Sequence, residues 1–382
     1  MRILIVGAGV AGLTLAALLR QRGYDPTIID KQNDILQTGY MLGIYPLGNR
    51  ILYGLGLMEE FLDRSVPSDN YIMCNGKGDI IHQFSLKQTF APYGHNRSIT
   101  RGTFIDVLLH GCNDLPLYLG VEITSIEQKG DIVEVTFHDG TQHEYDLVVG
   151  ADGLRSQIRN LIFTPEEYHY FETGWGGWVW WTDDPKLTPG TAMEFWGSGH
   201  MLGIYPTEYK FGAFAISPTQ KNKTVPYAGL RSDIRQALSD LIQRYPVVFE
   251  QIPLDNNSNM IYWPLTDVRS NNWYKKRVVL IGDAAVGFLP TSDAGASMAM
   301  ESAAALADEL TRTDTYHLDW SLLLYQKRRK PRVEAAQDDS RSLAKHMFVK
   351  SAVSSSIRNY MLRQHSLKSI SESIDKIFQI PI

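Results

Sequence analysis

The sequence has 382 residues, 44% of them apolar and 21% charged, with 37 Lys/Arg against 42 Asp/Glu. This composition excludes a disordered, collagen-like or disulfide-stapled chain and gives no global electrostatic case for nucleic acid. At about 100–200 residues per domain the length predicts two domains, or three, with a full apolar core.

Residues 2–6, RILIV, read as a buried strand. Gly7-Ala-Gly9-Val-Ala-Gly12 follows, then a helix that ends at Gly23, then a second strand at 27–30 closed by Asp30. This is a βαβ unit. A leader-like reading of residues 1–19 fails because three glycines interrupt the apolar run. Residues 47–62 predict one helix, and 71–86 predict paired strands around Asn75-Gly76. Thr103–Cys112 predicts a helix, 121–127 and 131–138 two strands, and Leu147–Gly150 a buried strand. Residues 173–216 are dense in Trp, Phe, Tyr and Gly with turn signals between, the pattern of an antiparallel sheet. A helix at Ala228–Tyr245, a buried strand at 277–281 and a small-residue helix at Ala296–Leu310 come next. Residues 320–350 predict a helix interrupted at Pro331. Residues 351–379 predict another, with a capping box at Ser369-x-x-Glu372.

Residues 321–382 hold 12 Lys/Arg against 5 Asp/Glu, either a solvated basic face or one that docks on the acidic body or attracts an anionic cofactor. The hexapeptide MLGIYP occurs at 41–46 and again at 201–206 with nothing alike around it, so it is no internal repeat. Cys74 and Cys112 form no framework and no metal spacing, which predicts a reducing, cytoplasmic setting. His82, His95 and His200 show no metal spacing either, so no metal is expected. No stretch has the ~18 uninterrupted apolar residues of a membrane span.

The glycine motif lies between strand and helix, where each glycine has a task. Gly7 permits the turn, Gly9 lets backbone approach a pyrophosphate, and Gly12, beside Ala11, lets helix and strand pack closely. The helix start offers free N–H groups to phosphate. Asp30, followed by Lys31, stands 23 residues after Gly7, where a carboxylate accepts from a ribose diol.

Two later segments join this motif: Asp146-LVVGADGLRSQIR-159 and Arg277-VVLIGDAAVGFLP-290, continued by TSDAGASMAMES. In this order the three anchors resemble the single-component, class A FAD-dependent monooxygenases of the p-hydroxybenzoate hydroxylase type, over roughly residues 1–335. The resemblance implies an α/β fold. A Rossmann-like FAD-binding domain (1–70, 96–163 and 269–330) interleaves with an antiparallel-sheet substrate domain (71–95 and 164–268), and C-terminal helices follow (331–382). It implies bound FAD, transient NADPH or NADH, and hydroxylation through a flavin 4a-hydroperoxide. Asp283 would meet the ribityl chain. The helix starting at Gly295 and Ala296 would aim N–H groups at the flavin pyrimidine. Pro290 would line the face where dioxygen adds. Arg101 would contact phosphate and ribityl, and Ile123 would meet adenine. Asp152 and Arg159 would support flavin and pyridine-nucleotide binding.

Where the family reads GDAAHxxPPxxGQGxN, this chain has Val286 for the histidine, Leu289 for the first proline, Asp293-Ala294 for Gly-Gln and Ser297 for the asparagine. Asp293 is the outlier, since a carboxylate beside a reduced, anionic flavin opposes reduction.

The aromatic segment supplies a flat apolar pocket for an aromatic or polycyclic substrate: Trp178, Trp180, Phe195, Met201, Tyr205 and Phe214. Trp178-Val-Trp180 is also similar to the WxWxIP motif of flavin-dependent halogenases, but Thr182 and Asp183 replace its Ile-Pro. The expected partners are that small molecule and dioxygen, with no nucleic acid and no membrane, in a monomer or homodimer. The alternative is an FAD-binding module that sequesters a reactive intermediate without NAD(P)H turnover.

Overall fold

The computed structural model describes residues 1–37, 39–219, 234–236, 238–253 and 261–364. The first sheet is built of short runs with no polar side, ILIV, LVVG and VVL, which only a two-sided burial accommodates. Its order is Tyr274–Lys275, Val278–Leu280, Leu147–Gly150, Ile3–Val6, Thr27–Asp30, Leu117–Leu119, all parallel except the first pair. Helix Val10–Gln21 packs against helices Gly295–Leu310 and Arg101–His110. Every residue from Ala11 to Leu19 is therefore buried.

The second sheet has seven strands. Their order is Ile261–Ser270, Tyr168–Thr182, Phe211–Pro218, Met201–Pro206, Thr191–Trp196, Asn70–Asn75, Ile80–Ser85. All neighbours are antiparallel except Thr191–Trp196 with Asn70–Asn75. Side chains alternate between two cores. One face packs Trp178, Trp180, Phe195, Leu202 and Ile204 against Val248 and Phe249. The other packs Trp175, Val179, Trp196, Met201 and Phe214 against Leu289, Ala344 and Met347. A small sheet of Met41–Ile44, Arg97–Thr100 and Val66–Pro67 stands beside it.

Two helix expectations are corrected. The helix over 47–62 is two, Pro46–Leu55 and Met58–Asp63, because Gly56 takes a left-handed φ of +73° and ends the first. Pro331 does not interrupt its helix, which runs unbroken from Leu318 to Met347. The lost backbone bond costs about 3 kcal/mol, and side chains on either turn offset it. Arg329 and Arg332 both donate to Glu301, and Arg341 grips Asp267 with two bonds of 2.7 and 2.6 Å. Three cations of the basic C-terminal region thus dock on buried acids of the body. Of the helix expected at 228–245, Ser239–Ile242 is described and is helical. The last helix is Ala352–Gln364, and the Ser369 capping box lies outside the described residues.

Glu301 is fully buried and also accepts from Arg50 at 3.0 Å, so it joins three helices. Glu301→Ala leaves the buried Arg329 without its carboxylate. Stability should fall by about 3–5 kcal/mol, read as a lowered urea midpoint. A midpoint within error of the parent would show that the three arginines do not depend on Glu301.

Candidate functional site

Two helix starts frame one groove. Gly7 has φ +113°, and a Cβ there would overlap the Ala151 carbonyl oxygen. A Cβ at Gly12 would overlap the Gly7 carbonyl oxygen. Gly9 is different: its φ of −86° suits any residue, and a Cβ would meet nothing within 4 Å. Nothing in the protein requires glycine there. The open space lies at the start of helix Val10–Gln21, which no side chain caps, and a phosphate fits it. Asp30 braces the turn, accepting from Ala8 N–H and Gln32 N–H at 2.8 Å each. Each oxygen keeps a lone pair for a ribose hydroxyl.

The second wall comes from the segment after Val278–Leu280. Gly282, at φ +58°, is forced because a Cβ would stand 2.8 Å from that of Ala11, so this turn seats directly on the first motif. Asp283 follows. Its carboxyl has no hydrogen-bond partner among the described residues, and burial pushes it up to about 6. A half-buried carboxyl in that condition fits the hydroxyls of a ribityl chain. Asp283 and Gly295 line one small cavity with Val286, Phe288 and Met298. The half-buried Tyr40 phenol lies near both Asp283 and Arg101, whose guanidinium donates to the Ile35 carbonyl at 3.2 Å.

Beyond the groove the chain runs through residues 286–294, and the long helix holds this loop from behind. Gln337 Nε2 donates to the Val268 and Gly287 carbonyls at 2.9 and 2.5 Å, and Ser340 Oγ donates to the Leu289 carbonyl at 3.1 Å. Thr291 Oγ1 returns a bond to the Ser340 carbonyl at 2.8 Å. Pro290–Ser292 forms a 3-10 turn that ends on Asp293, at φ +48°.

Leu289 packs the loop on the second sheet, and beside that contact Tyr45, Tyr71 and Tyr205 stay half-buried and Asp293 exposed, which marks a cleft between loop and sheet. Glu194 is buried and accepts from Tyr71 Oη at 2.6 Å and from Tyr205 Oη and Trp196 Nε1 at 2.7 Å. Asp293 is exposed to the cleft, with protein on the sides around it. Burial and then the Glu194 charge push its carboxyl up to about 7. The same two carboxylates, after burial, raise the phenols of Tyr45, Tyr71 and Tyr205. Tyr40, Trp263 and Phe214 form an aromatic run, with ring centroids 5.5 Å apart at each step.

Residues 1–340 match the family model described as FAD binding domain. The chain belongs to that family. A flavin-dependent monooxygenase of Legionella longbeachae is 28% identical over 81% of this chain and 80% of its own length. The 6-hydroxynicotinate 3-monooxygenase of Pseudomonas fluorescens is 26% identical, covering 88% of this chain and 89% of its own. Among solved structures, Klebsiella pneumoniae HpxO complexed with FAD and uric acid superposes with a TM-score of 0.87 at 21% identity, over 99% of this chain and 96% of that one. This protein is a flavin-dependent monooxygenase with FAD as its cofactor.

In the monooxygenase, Gly7, Gly9, Ala11, Gly12, Asp30, Asp283, Gly295 and Ala296 gather along the groove, with Lys31 exposed beside Asp30. Pro290 heads the turn between groove and cleft. The Ile123 carbonyl accepts from Gln157 Nε2 at 2.6 Å. Asp152 accepts from Ser156 Oγ, Gln157 N and Ile158 N, and so starts helix Gln157–Ile162. Arg159 is a correction. It is fully buried and donates to the Ala284 and Leu154 carbonyls and Tyr170 Oη, so it props the Gly282 turn from inside and has no surface for a nucleotide.

Trp178, Trp180 and Phe195 are corrected too. They lie on the sheet face away from the loop, and Trp180 Nε1 donates to the Val248 carbonyl at 2.8 Å. Alternation puts Trp178 and Trp180 together but does not say which face meets the flavin loop. Met201, Tyr205 and Phe214 are on the loop side. Sequence reasoning missed Glu194, Tyr71, Tyr45, Tyr40 and Trp263. The available signals were the lone acid inside TAMEFW and the tyrosine shared by both MLGIYP copies, whose Tyr45 and Tyr205 reach the same cleft.

Gly9→Val should fold with the melting temperature of the flavin-stripped parent and purify without flavin, whereas Gly12→Ala should lose stability beyond that. Flavin absorbance per chain and thermal melting check both, and a yellow, fully loaded Gly9→Val would move the phosphates elsewhere. Trp180→Phe should lower stability by about 1–3 kcal/mol through the unpaired Val248 carbonyl. Its visible flavin spectrum should match the parent's, and a shifted spectrum would put Trp180 on the cofactor side.

Proposed function

We propose that the enzyme takes electrons from NADPH or NADH and places one oxygen atom of dioxygen on an electron-rich aromatic or polycyclic molecule held in the cleft. One observation carries this reading: the loop from Pro290 to Asp293 has the FAD groove at its root and a cleft walled by Tyr71, Glu194, Tyr205 and Phe214 before it. A flavin seated at Asp283 and Gly295 and a planar molecule against Phe214 then share that loop.

Bound FAD supplies the hydride-accepting and oxygen-activating chemistry. The chain supplies position and field. The uncapped start of helix Gly295–Leu310 favours negative charge on the adjacent ring edge. The aromatic wall excludes water and stacks on a flat ring. The names of relatives support a planar substrate, since one is named for acting on 6-hydroxynicotinate and another for making a 2-heptyl-3-hydroxy-4(1H)-quinolone, and uric acid is bound in HpxO. The free, buried Cys74 and Cys112 support a cytoplasmic setting. No helix among the described residues is long and apolar enough to cross a membrane.

Asp293 favours the second reading, a sequestering module, because its negative charge opposes flavin reduction. Anaerobic mixing with NADPH or NADH separates the two. The flavin should bleach, and faster with a cleft-filling phenol or heterocycle present. A flavin that stays oxidised with both nucleotides and every compound would overturn the monooxygenation reading in favour of the module. The pH dependence has a defined sign. Below about 7 Asp293 is protonated and neutral, so reduction should speed up as pH falls through that value. Asp293→Gly should be fast throughout.

A further inference from the structure

The cleft carries more negative charge than its reaction needs. Glu194 is satisfied by three donors and buried, so it is a fixed acceptor with little left to offer. Asp293 is the opposite. No described residue hydrogen-bonds its carboxyl, and its side chain lies in the space that Gly43 leaves bare, where a Cβ would stand 3.3 Å away. The titratable groups that face the pair come from four elements: Tyr45 at the start of helix Pro46–Leu55, Tyr71 on Asn70–Asn75, Glu194 on Thr191–Trp196 and Tyr205 on Met201–Pro206. Apart from the two acids, all are neutral phenols. Among the described residues no Lys, Arg or His acts on Asp293, and Arg101 stands on the groove side against Tyr40 and Ile35.

We propose that Asp293, backed by Glu194, determines substrate class: it accepts a hydrogen bond from an N–H of a neutral or cationic ring compound, and the pair rejects aromatic carboxylates. This rests on the reading that the cleft holds the substrate. An anionic substrate would bring a third negative charge into a cleft in which, among the described residues, no cation acts on Asp293. A neutral or positive N–H donor gives Asp293 the partner it lacks.

The test uses the FAD-loaded enzyme and three probes that share one ring: 4-hydroxybenzamidine, 4-hydroxybenzamide and 4-hydroxybenzoate. Binding is followed by perturbation of flavin absorbance, which needs no turnover. Affinity should fall in that order, with about a tenfold step from amide to carboxylate. The preference for amidine over amide should grow as pH rises through about 7, where Asp293 ionises. Asp293→Asn keeps the left-handed backbone, so it should fold and hold FAD. It should abolish that pH dependence and narrow the amidine-to-carboxylate ratio by about tenfold. The proposal is overturned if the carboxylate binds as tightly as the amidine. It is also overturned if none of the three binds at millimolar concentration, or if Asp293→Asn leaves the ratio unchanged. Binding in the expected order without faster NAD(P)H-driven reduction would uphold this assignment and count against the monooxygenation reading.

Discussion

A carboxylate with no solvent and three guanidinium groups around it is the constraint on which the site depends. Taking Glu301 out of water costs several kcal/mol, and only well-placed donors offset that. Arg329, Arg332 and Arg50 do so, which fixes the helix that starts at Gly295 against both the long C-terminal helix and the helix that follows Tyr45. A few residues further along the same long helix, Gln337 and Ser340 take up the carbonyls of the flavin loop, and Arg341 takes up Asp267 in the second sheet. Cofactor groove, loop and cleft wall are thus all positioned from one rod.

The field across the site is asymmetric. On the groove side stand two uncapped helix starts and Arg101, all positive. On the cleft side two acids and three phenols face inward. Asp293 sits at the boundary, on the loop that both sides share. The proposed effects on reduction and on molecular choice both come from that position.

Local motifs were legible and long-range ones were not. The βαβ unit, the tight packing at Gly7 and Gly12 and the Asp283 turn follow from residues close in sequence, and the structure brings them together. The phase of the second sheet was legible, since Trp178 and Trp180 do share a face, but its outward or inward sense depends on what packs against it. Glu194 meets Tyr71 only through the parallel pairing of Thr191–Trp196 with Asn70–Asn75, about 120 residues apart. Arg159 looked like a ligand residue because of the motif it shares with the family it resembles. Its burial under Ala284 depends on a strand that arrives 120 residues later. Pro331 read as a break because propensity counts one lost bond and not the ion pairs that hold the helix on both sides.

The unbroken helix Leu318–Met347 also limits how this chain can change. Each residue in a helix turns the next by about 100°. One residue inserted between Arg332 and Gln337 would keep Glu301 satisfied while swinging Gln337, Ser340 and Arg341 away from the loop and Asp267. The cleft can be recut by substitution on its walls, and an exposed hairpin turn such as Lys129-Gly130, where a Cβ at the glycine would meet nothing within 4 Å, leaves room for change. The spacing along this rod does not, so it works as the ruler by which the two halves of the site are kept in register.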